Sequence, residues 1–360
     1  MKKPRHRPYL ITETGMEVFL NTLVFQKIVK NVLFLFLFFT FFYSCKNGGE
    51  DNSGTSLDSL QRSDLTVLNK KIIEEPNNAE LYQLRAKKYF EQKNIEAAIS
   101  DMKRILSFDS SKADYYLNLT DFYFSINQTR AAKEILERCV AAHSESEAAL
   151  LKLAEVYLLV KKYEESIAYC DKALKLNAHN ANTYFIKGMD FKEMGDTAKA
   201  ISTMQTAVEQ DQQLYKAYIQ LGLLCAAKRS GLALDYYDNA LRIDPNSKEA
   251  LYDKAKFLQD MQQWKAAKAA YEQLLKIFPE DKYAYYNLGV VALLEKKDYA
   301  AAIGYYNKAL VYDPNYAEAY FARGTCYEGL NKPAAAKADY GKALSIKPDY
   351  TDAAHALENL

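Results

Sequence analysis

The sequence predicts an all-α fold, a solenoid of stacked antiparallel helix pairs. Three observations predict it. Glycine (13) and proline (8) are scarce in a chain of 360 residues, which disfavours a fold of many tight turns and favours long helices. Apolar residues make up 49% and aromatic residues 13% of the chain, with 29 tyrosines. That is enough to bury a large core and excludes wholesale disorder. From Ala79 onward the chain repeats itself with a period close to 34 residues, and a sustained period of this length marks a repeat architecture.

The first 45 residues form a separate object. Residues 32–43 read VLFLFLFFTFFY, with Thr40 the one polar position. Crossing a membrane takes about 20 apolar residues, so this run is too short to span. Lys27 and Lys30 precede it and Ser44-Cys45 follow, the order of charged, apolar and small residues that a secretory signal shows. Cys45 directly after Ser44 resembles the bacterial lipoprotein signal, which implies that residues 1–44 are removed and that Cys45 carries a lipid. A plain signal with an incidental Cys45 and a short uncut anchor are the other readings, and Met16 is an alternative start. Residues 45–58, rich in Gly, Asn, Ser and acid, read as a flexible tether.

The whole chain has a net charge of +1, with 47 basic and 46 acidic side chains. The leader holds six of the basic and two of the acidic ones, so its removal leaves a body of net charge −3. That balance offers no footprint for a phosphate backbone and excludes nucleic acid as an expected partner.

The repeat has a fixed skeleton. Copies span residues 79–112, 113–146, 147–180, 181–214, 215–247, 248–281, 282–316 and 317–350. Half a copy, residues 59–78, precedes them, and residues 351–360 form a partial helix after them. Positions 4, 7, 8 and 11 share one helix face, and positions 20, 24 and 27 share a face of a second helix. Position 8 is Ala, Gly or Thr throughout, as in Gly222, Gly289 and Gly324, while bulky residues such as Tyr237, Tyr306 and Tyr340 stand on the second helix to fill the space. Pro76, Pro245, Pro279, Pro314 and Pro348 mark the ends of second helices, and Asn77, Asn246, Asn315 and Asp349 follow as caps for the next helix. The one-residue slips in period are expected in turns, where length changes are best tolerated.

This pattern resembles the tetratricopeptide repeat over about five-sixths of the chain. The resemblance implies a right-handed superhelix with a concave inner surface. In that family, positions 2, 5, 6, 9, 12 and 13 line the groove. Carried over by position, the groove would show Leu117, Leu151, Phe185, Ile186, Met189, Ile219, Leu223, Tyr252, Tyr286, Val290 and Phe321. An apolar stripe of this kind marks an interaction surface; the same residues could instead be core between neighbouring helices. The lysines and asparagine by which some family members clamp a chaperone tail are missing, and Lys87 and Lys256 read as isolated solvated cations. With a stub of only ten residues at the end, the last helix pair is expected to fray or to dock on a second copy.

No catalytic constellation emerges. His6, His143, His179 and His355 have no partner at metal-ligand spacing, and His143 and His179 fall in turns. Cys139, Cys170, Cys225 and Cys326 stand at packing positions and read as buried thiols; Cys139 with Cys170 is the one pair to test for a disulfide. No cofactor is expected. The predicted function is a non-enzymatic, lipid-tethered scaffold in a bacterial envelope that binds a protein or peptide segment in its groove. The alternatives are a glycan-binding uptake lipoprotein, with Tyr252, Tyr286 and Phe321 stacking on sugar rings, and a non-catalytic subunit of an envelope enzyme.

Overall fold

The structure is a computed structural model that describes residues 64–360. The leader, Cys45, the tether of residues 45–58 and residues 59–63 of the half copy lie outside the described residues. Among those described, every regular element is a helix. A single helix, α1 (Leu65–Glu74), comes first. Eight pairs follow: α2 (Ala79–Glu91) with α3 (Ile95–Phe108), α4 (Ala113–Ser125) with α5 (Thr129–Ala142), α6 (Glu147–Leu159) with α7 (Tyr163–Leu176), and α8 (Ala181–Glu193) with α9 (Thr197–Gln210). Then come α10 (Tyr215–Ala227) with α11 (Leu232–Ile243), α12 (Lys248–Asp260) with α13 (Trp264–Ile277), α14 (Lys282–Lys296) with α15 (Tyr299–Tyr312), and α16 (Ala317–Gly329) with α17 (Pro333–Ile346). Helix α18 (Thr351–Glu358) closes the stack.

Within each pair the contact is set by size. A Cβ added to Gly222 would stand 2.5 Å from Cε1 of Tyr237, and one on Gly289 would stand 2.5 Å from Cε1 of Tyr306. Only hydrogen fits there, so the helices cross closely and the rings fill the space. Tyr237, Tyr306 and Tyr340 are buried against glycine in this way, and Tyr271 is buried in a cluster with Ala255. The small residue at position 20 of each repeat, on the second helix, is fully buried: Ala98, Ala132, Ser166, Ala200, Ala233, Ala267, Ala302 and Ala336.

The turn inside each repeat relies on one backbone conformation. Lys93, Asn127, Lys161, Arg229, Gln262, Lys297 and Asn331 all have φ between +52° and +64°, and Gly195 has +82°. The amide after this residue reaches back five residues, as in Lys162 N–H to Tyr157 O (2.8 Å) and Lys332 N–H to Tyr327 O (2.8 Å). This is the Schellman closure of a helix, which satisfies carbonyls that would otherwise be unpaired.

Three expectations need correction. First, Asn77, Asn246, Asn315 and Asp349 do not cap the following helices. The residue one further on occupies that place: Asn78, Ser146, Asn180, Ser247 and Asp281 cap with their side chains. The Asp before the proline shapes the turn instead, with Asp244 accepting from Asn246 N–H (3.1 Å) and Asp313 from Asn315 N–H (2.9 Å). Second, the extra residue of the seventh repeat lengthens α14 to 15 residues, against 13 in the other first helices, rather than lengthening a turn. Third, the ten-residue stub is long enough to cover the last pair; fraying of that end, or its docking on a second copy, is a separate matter of solution behaviour. Helix α18 packs on α17 and buries Ala353, and Tyr340 and Ala343 are fully buried.

Each pair touches its neighbours in sequence, as a solenoid requires. Successive first helices also pack on one another, α6 on α8, α10 on α12 and α12 on α14, a closeness that no two successive second helices reach. The stack therefore bends with its first helices on the inner side.

Candidate partner-binding groove

The inner wall is built from the first helices. Leu117, Leu151, Phe185, Met189, Leu223, Tyr252, Tyr286, Val290 and Phe321 are all half-buried there. Two predicted wall residues are not available. Ile186 is 3% exposed and packs onto Ala154 and Cys170 of the preceding repeat. Ile219 is 2% exposed and lies with Tyr237 and Phe257, where α10 leans on α12. Both belong to the core, because close packing between first helices closes the wall over them.

Aromatic rings dominate the far end of the wall. Tyr286 lies 5.2 Å from Tyr316 between ring centres, Tyr283 lies 5.8 Å from Tyr316, and Phe321 lies 5.1 Å from Tyr350. Tyr252 stands edge-on to the buried Tyr271 and accepts a hydrogen bond from Asn287 Nδ2 (3.1 Å). Pairs of this kind add about 0.5–1.5 kcal/mol beyond their burial. Tyr316 and Tyr350 escape a position-by-position reading, because each occupies the capping residue just before a first helix. The signal was present in the sequence: both follow a Pro and an Asn or Asp at the same point of the repeat.

The charged groups of the wall belong to no sequence motif. Lys152 pairs with Asp121 on the preceding first helix. Burial raises the Asp121 carboxyl, and Lys152 opposes that shift. Burial likewise raises Glu155, against the pull of Lys216 and Lys152. Lys216, whose ammonium lies 4.5 Å from the Phe185 ring centre, is lowered by burial. Lys192 is lowered for the same reason and donates to Gln220 Oε1 (2.8 Å). Burial, then the nearby Glu249 charge, push Asp253 up to about 7, and burial pushes Tyr252 up to about 12. These side chains keep some contact with solvent yet are strongly desolvated. A concave wall produces that combination, because protein surrounds a group on most sides without covering it.

Other side chains singled out by sequence serve the frame. Lys256 is paired with Asp260 rather than isolated. Ring nitrogen Nε2 of His143 lies 2.9 Å from the Ser110 carbonyl, and Nδ1 of His179 lies 2.7 Å from Gln210 Oε1, both bridging turns. Trp264 opens α13 and packs beside Leu251 and Tyr271. Cys139, Cys170, Cys225 and Cys326 are free and buried, and burial raises each thiol, Cys139 to about 11 and Cys326 to about 12. No group of three His, Cys, Asp or Glu side chains able to hold a metal occurs among the described residues.

Family models described as Tetratricopeptide repeat match residues 113–142, 145–213, 187–248, 252–317 and 317–350. Human mitochondrial import receptor subunit TOM70 is 22% identical over 285 residues, which cover 76% of this chain and 47% of that protein. Human protein O-mannosyl-transferase TMTC3 is 22% identical over 294 residues, 76% of this chain and 32% of that protein. The chain thus spans less than half the length of these curated relatives. Among solved structures, the C-terminal part of a TPR repeat-containing protein from Cytophaga hutchinsonii superposes with a TM-score of 0.59 at 19% identity, covering 68% of this chain and 99% of that one; this likeness shows the fold. Helix pairs of nearly one length, matched by the same family along most of the described residues and stacked into an α-solenoid, make this chain a member of the tetratricopeptide repeat family.

Proposed function

We propose that this protein is a membrane-tethered scaffold that holds a segment of another protein along its inner wall. The carrying observation is the wall itself. Leu117, Leu151, Phe185, Met189, Leu223, Val290 and the aromatic run from Tyr252 to Phe321 stay half-buried on one face of successive first helices. Apolar surface of this extent, rimmed by charge, is the chemistry of a docking site. Tetratricopeptide repeat proteins are in general protein-interaction scaffolds, and one relative is by name an import receptor subunit. In this reading a lipid on Cys45 and the tether of residues 45–58 hold the body at a bacterial envelope membrane, and the protein has no catalysis of its own.

Two experiments test the two halves. Cells carrying Cys45→Ala are fractionated; the variant should leave the membrane pellet, and its retention there would overturn the anchor. Separately, Met189→Glu with Val290→Glu places charge on the wall while leaving the buried ring contacts intact. Partners cross-linked to the wild-type chain should be lost from this variant at unchanged helical content, and equal recovery would overturn the groove.

A further inference from the structure

We propose that the wall of the last three repeats selects a basic extended peptide, seating lysine or arginine side chains between the Glu249–Asp253 pair and the tyrosines. This rests on the scaffold reading above and adds which partner that scaffold selects.

The first support is a change of sign along the wall. At the groove positions of repeats six to eight stand Glu249, Asp253, Asp260, Glu318 and Glu328 against Lys256, and Lys256 is already paired with Asp260. Repeats three to five carry Lys152, Lys192 and Lys216 against Glu155 and Glu193 at the same positions. Glu318 is paired too, with Lys347, so the acidity of the last three repeats rests on Glu249, Asp253 and Glu328, and the wall runs from weakly basic to acidic, which orients an extended chain laid along it.

The second support is an uncompensated pair. Glu249 and Asp253 stand four residues apart on α12, where like charges on adjacent turns repel. No lysine or arginine forms a salt bridge with either among the described residues, whereas the neighbouring Asp281, Asp313 and Glu318 each have a lysine within 4 Å. The Asp253 carboxyl, raised to about 7 by burial and by Glu249, registers the missing countercharge. A cation between the two would relieve both the repulsion and the desolvation.

The third support is the aromatic surface beside them. Ring faces attract cations, most strongly where water is thinned. Rings at the margin of this wall already do so with ammonium groups from outside the groove positions: Lys282 Nζ lies 4.9 Å from the Tyr283 ring centre and 5.4 Å from that of Tyr316, and Lys347 Nζ lies 4.8 Å from that of Tyr350. Packed helices sit about 8–10 Å apart. An extended chain of the polyproline II type rises about 3.1 Å per residue with three residues per turn, so side chains three apart share one face and would meet successive repeats.

The test uses the full-length chain and three fluorescently labelled peptides of one Leu/Ala background, carrying lysines, glutamates or serines at every third position. Anisotropy titrations should give a lysine peptide bound about tenfold or more tightly than the glutamate peptide, with the gap narrowing at high salt. Glu249→Gln with Asp253→Asn should remove most of the gap and leave the serine peptide unchanged. That variant loses a repulsion, so it should melt no lower than wild type. Equal binding of the lysine and glutamate peptides, or a lysine preference that survives the variant, overturns the selection of basic partners. Peptide binding of any sign that Met189→Glu with Val290→Glu leaves intact overturns instead the groove reading on which it rests, as does wild-type protein that binds none of the three.

Discussion

Arg323 grips Asp339 with two parallel hydrogen bonds, Nε to Oδ2 and Nη2 to Oδ1, both 2.7 Å. Arg85 grips Asp101 in the same way at the other end of the stack, at 2.8 and 2.6 Å. Each arginine directs a further donor to an asparagine on the preceding second helix, Arg323 to Asn307 and Arg85 to Asn69. The match shows that α1 plays the part of a second helix, so the half copy caps the first full repeat. Forked charge-assisted bonds of this kind are among the stronger polar contacts in proteins.

Arg323→Ala should destabilise the last repeat by about 3 kcal/mol, because Asp339 is only 6% exposed and would be left without its cation. Replacing both residues by leucine should cost much less. Hydrogen exchange over residues 317–358 reads the effect locally, which matters because a neighbour-to-neighbour stack need not open as one unit. Equal losses in the single and double variants would show that the ion pair is not the cause.

Gly222→Val should cost about 1–3 kcal/mol by overpacking, since even a Cβ there meets the Tyr237 ring at 2.5 Å. Adding Tyr237→Leu should restore part of the loss. Chemical denaturation of the single and double variants decides; a single variant as stable as wild type removes the steric account of the small residue at this position.

Arg229→Gly and Lys161→Gly should each stabilise the protein by roughly 0.5–1 kcal/mol. Both residues hold a left-handed backbone at φ +53° and +61°, which strains an L-residue by about 1–2 kcal/mol, partly offset by glycine's larger unfolded entropy. Gly195→Ala, at φ +82°, should do the reverse. Melting temperatures of the three variants must move in these opposite directions.

Asp190 sets a dependence on pH. It is fully buried, and neither carboxyl oxygen has a partner; the neighbouring Ser166 hydroxyl donates to the Ala154 carbonyl instead. Burial pushes the carboxyl up to about 7, against about 3.9 in an unfolded chain. Between these values the folded protein holds the extra proton, so the contribution present below about pH 4 is lost as pH rises toward about 7. Asp190→Asn should therefore raise stability by about 2–4 kcal/mol at pH 8 and hardly at all at pH 4. Thermal melts across that range check it, and parallel pH profiles for wild type and variant would contradict it.

Much of the fold was legible because packing rules repeat. A small residue at position 8 recurs in all eight copies, faced on the second helix by Met102, Leu136, Cys170 or Met204 in the first four and by Tyr237, Tyr271, Tyr306 or Tyr340 in the last four, so each copy corroborates the others. The turn was less legible. Lys161 and Arg229 carry no sign of a left-handed backbone, since the Schellman bonds impose it on whatever residue falls there. The wall was legible as a stripe but not residue by residue. Position alone put Ile186 and Ile219 beside Phe185 and Leu223; local tilt between first helices decides which of them faces the hollow. The charges were hardest, because Glu155 and Lys216 belong to non-adjacent repeats and only the curvature brings them near each other. The reach of the stub was also illegible: α18 is only eight residues long, yet it packs on α17 and buries Ala353.

The four buried thiols give the chain its own gauges. Cys139, Cys170, Cys225 and Cys326 fall in the second, third, fifth and eighth repeats, and burial keeps every one of them protonated and inert. A thiol in that state reacts with an alkylating reagent only when its own surroundings open. Alkylation rates at these sites would therefore time the loosening of separate stretches of the wild-type molecule, without a single engineered label.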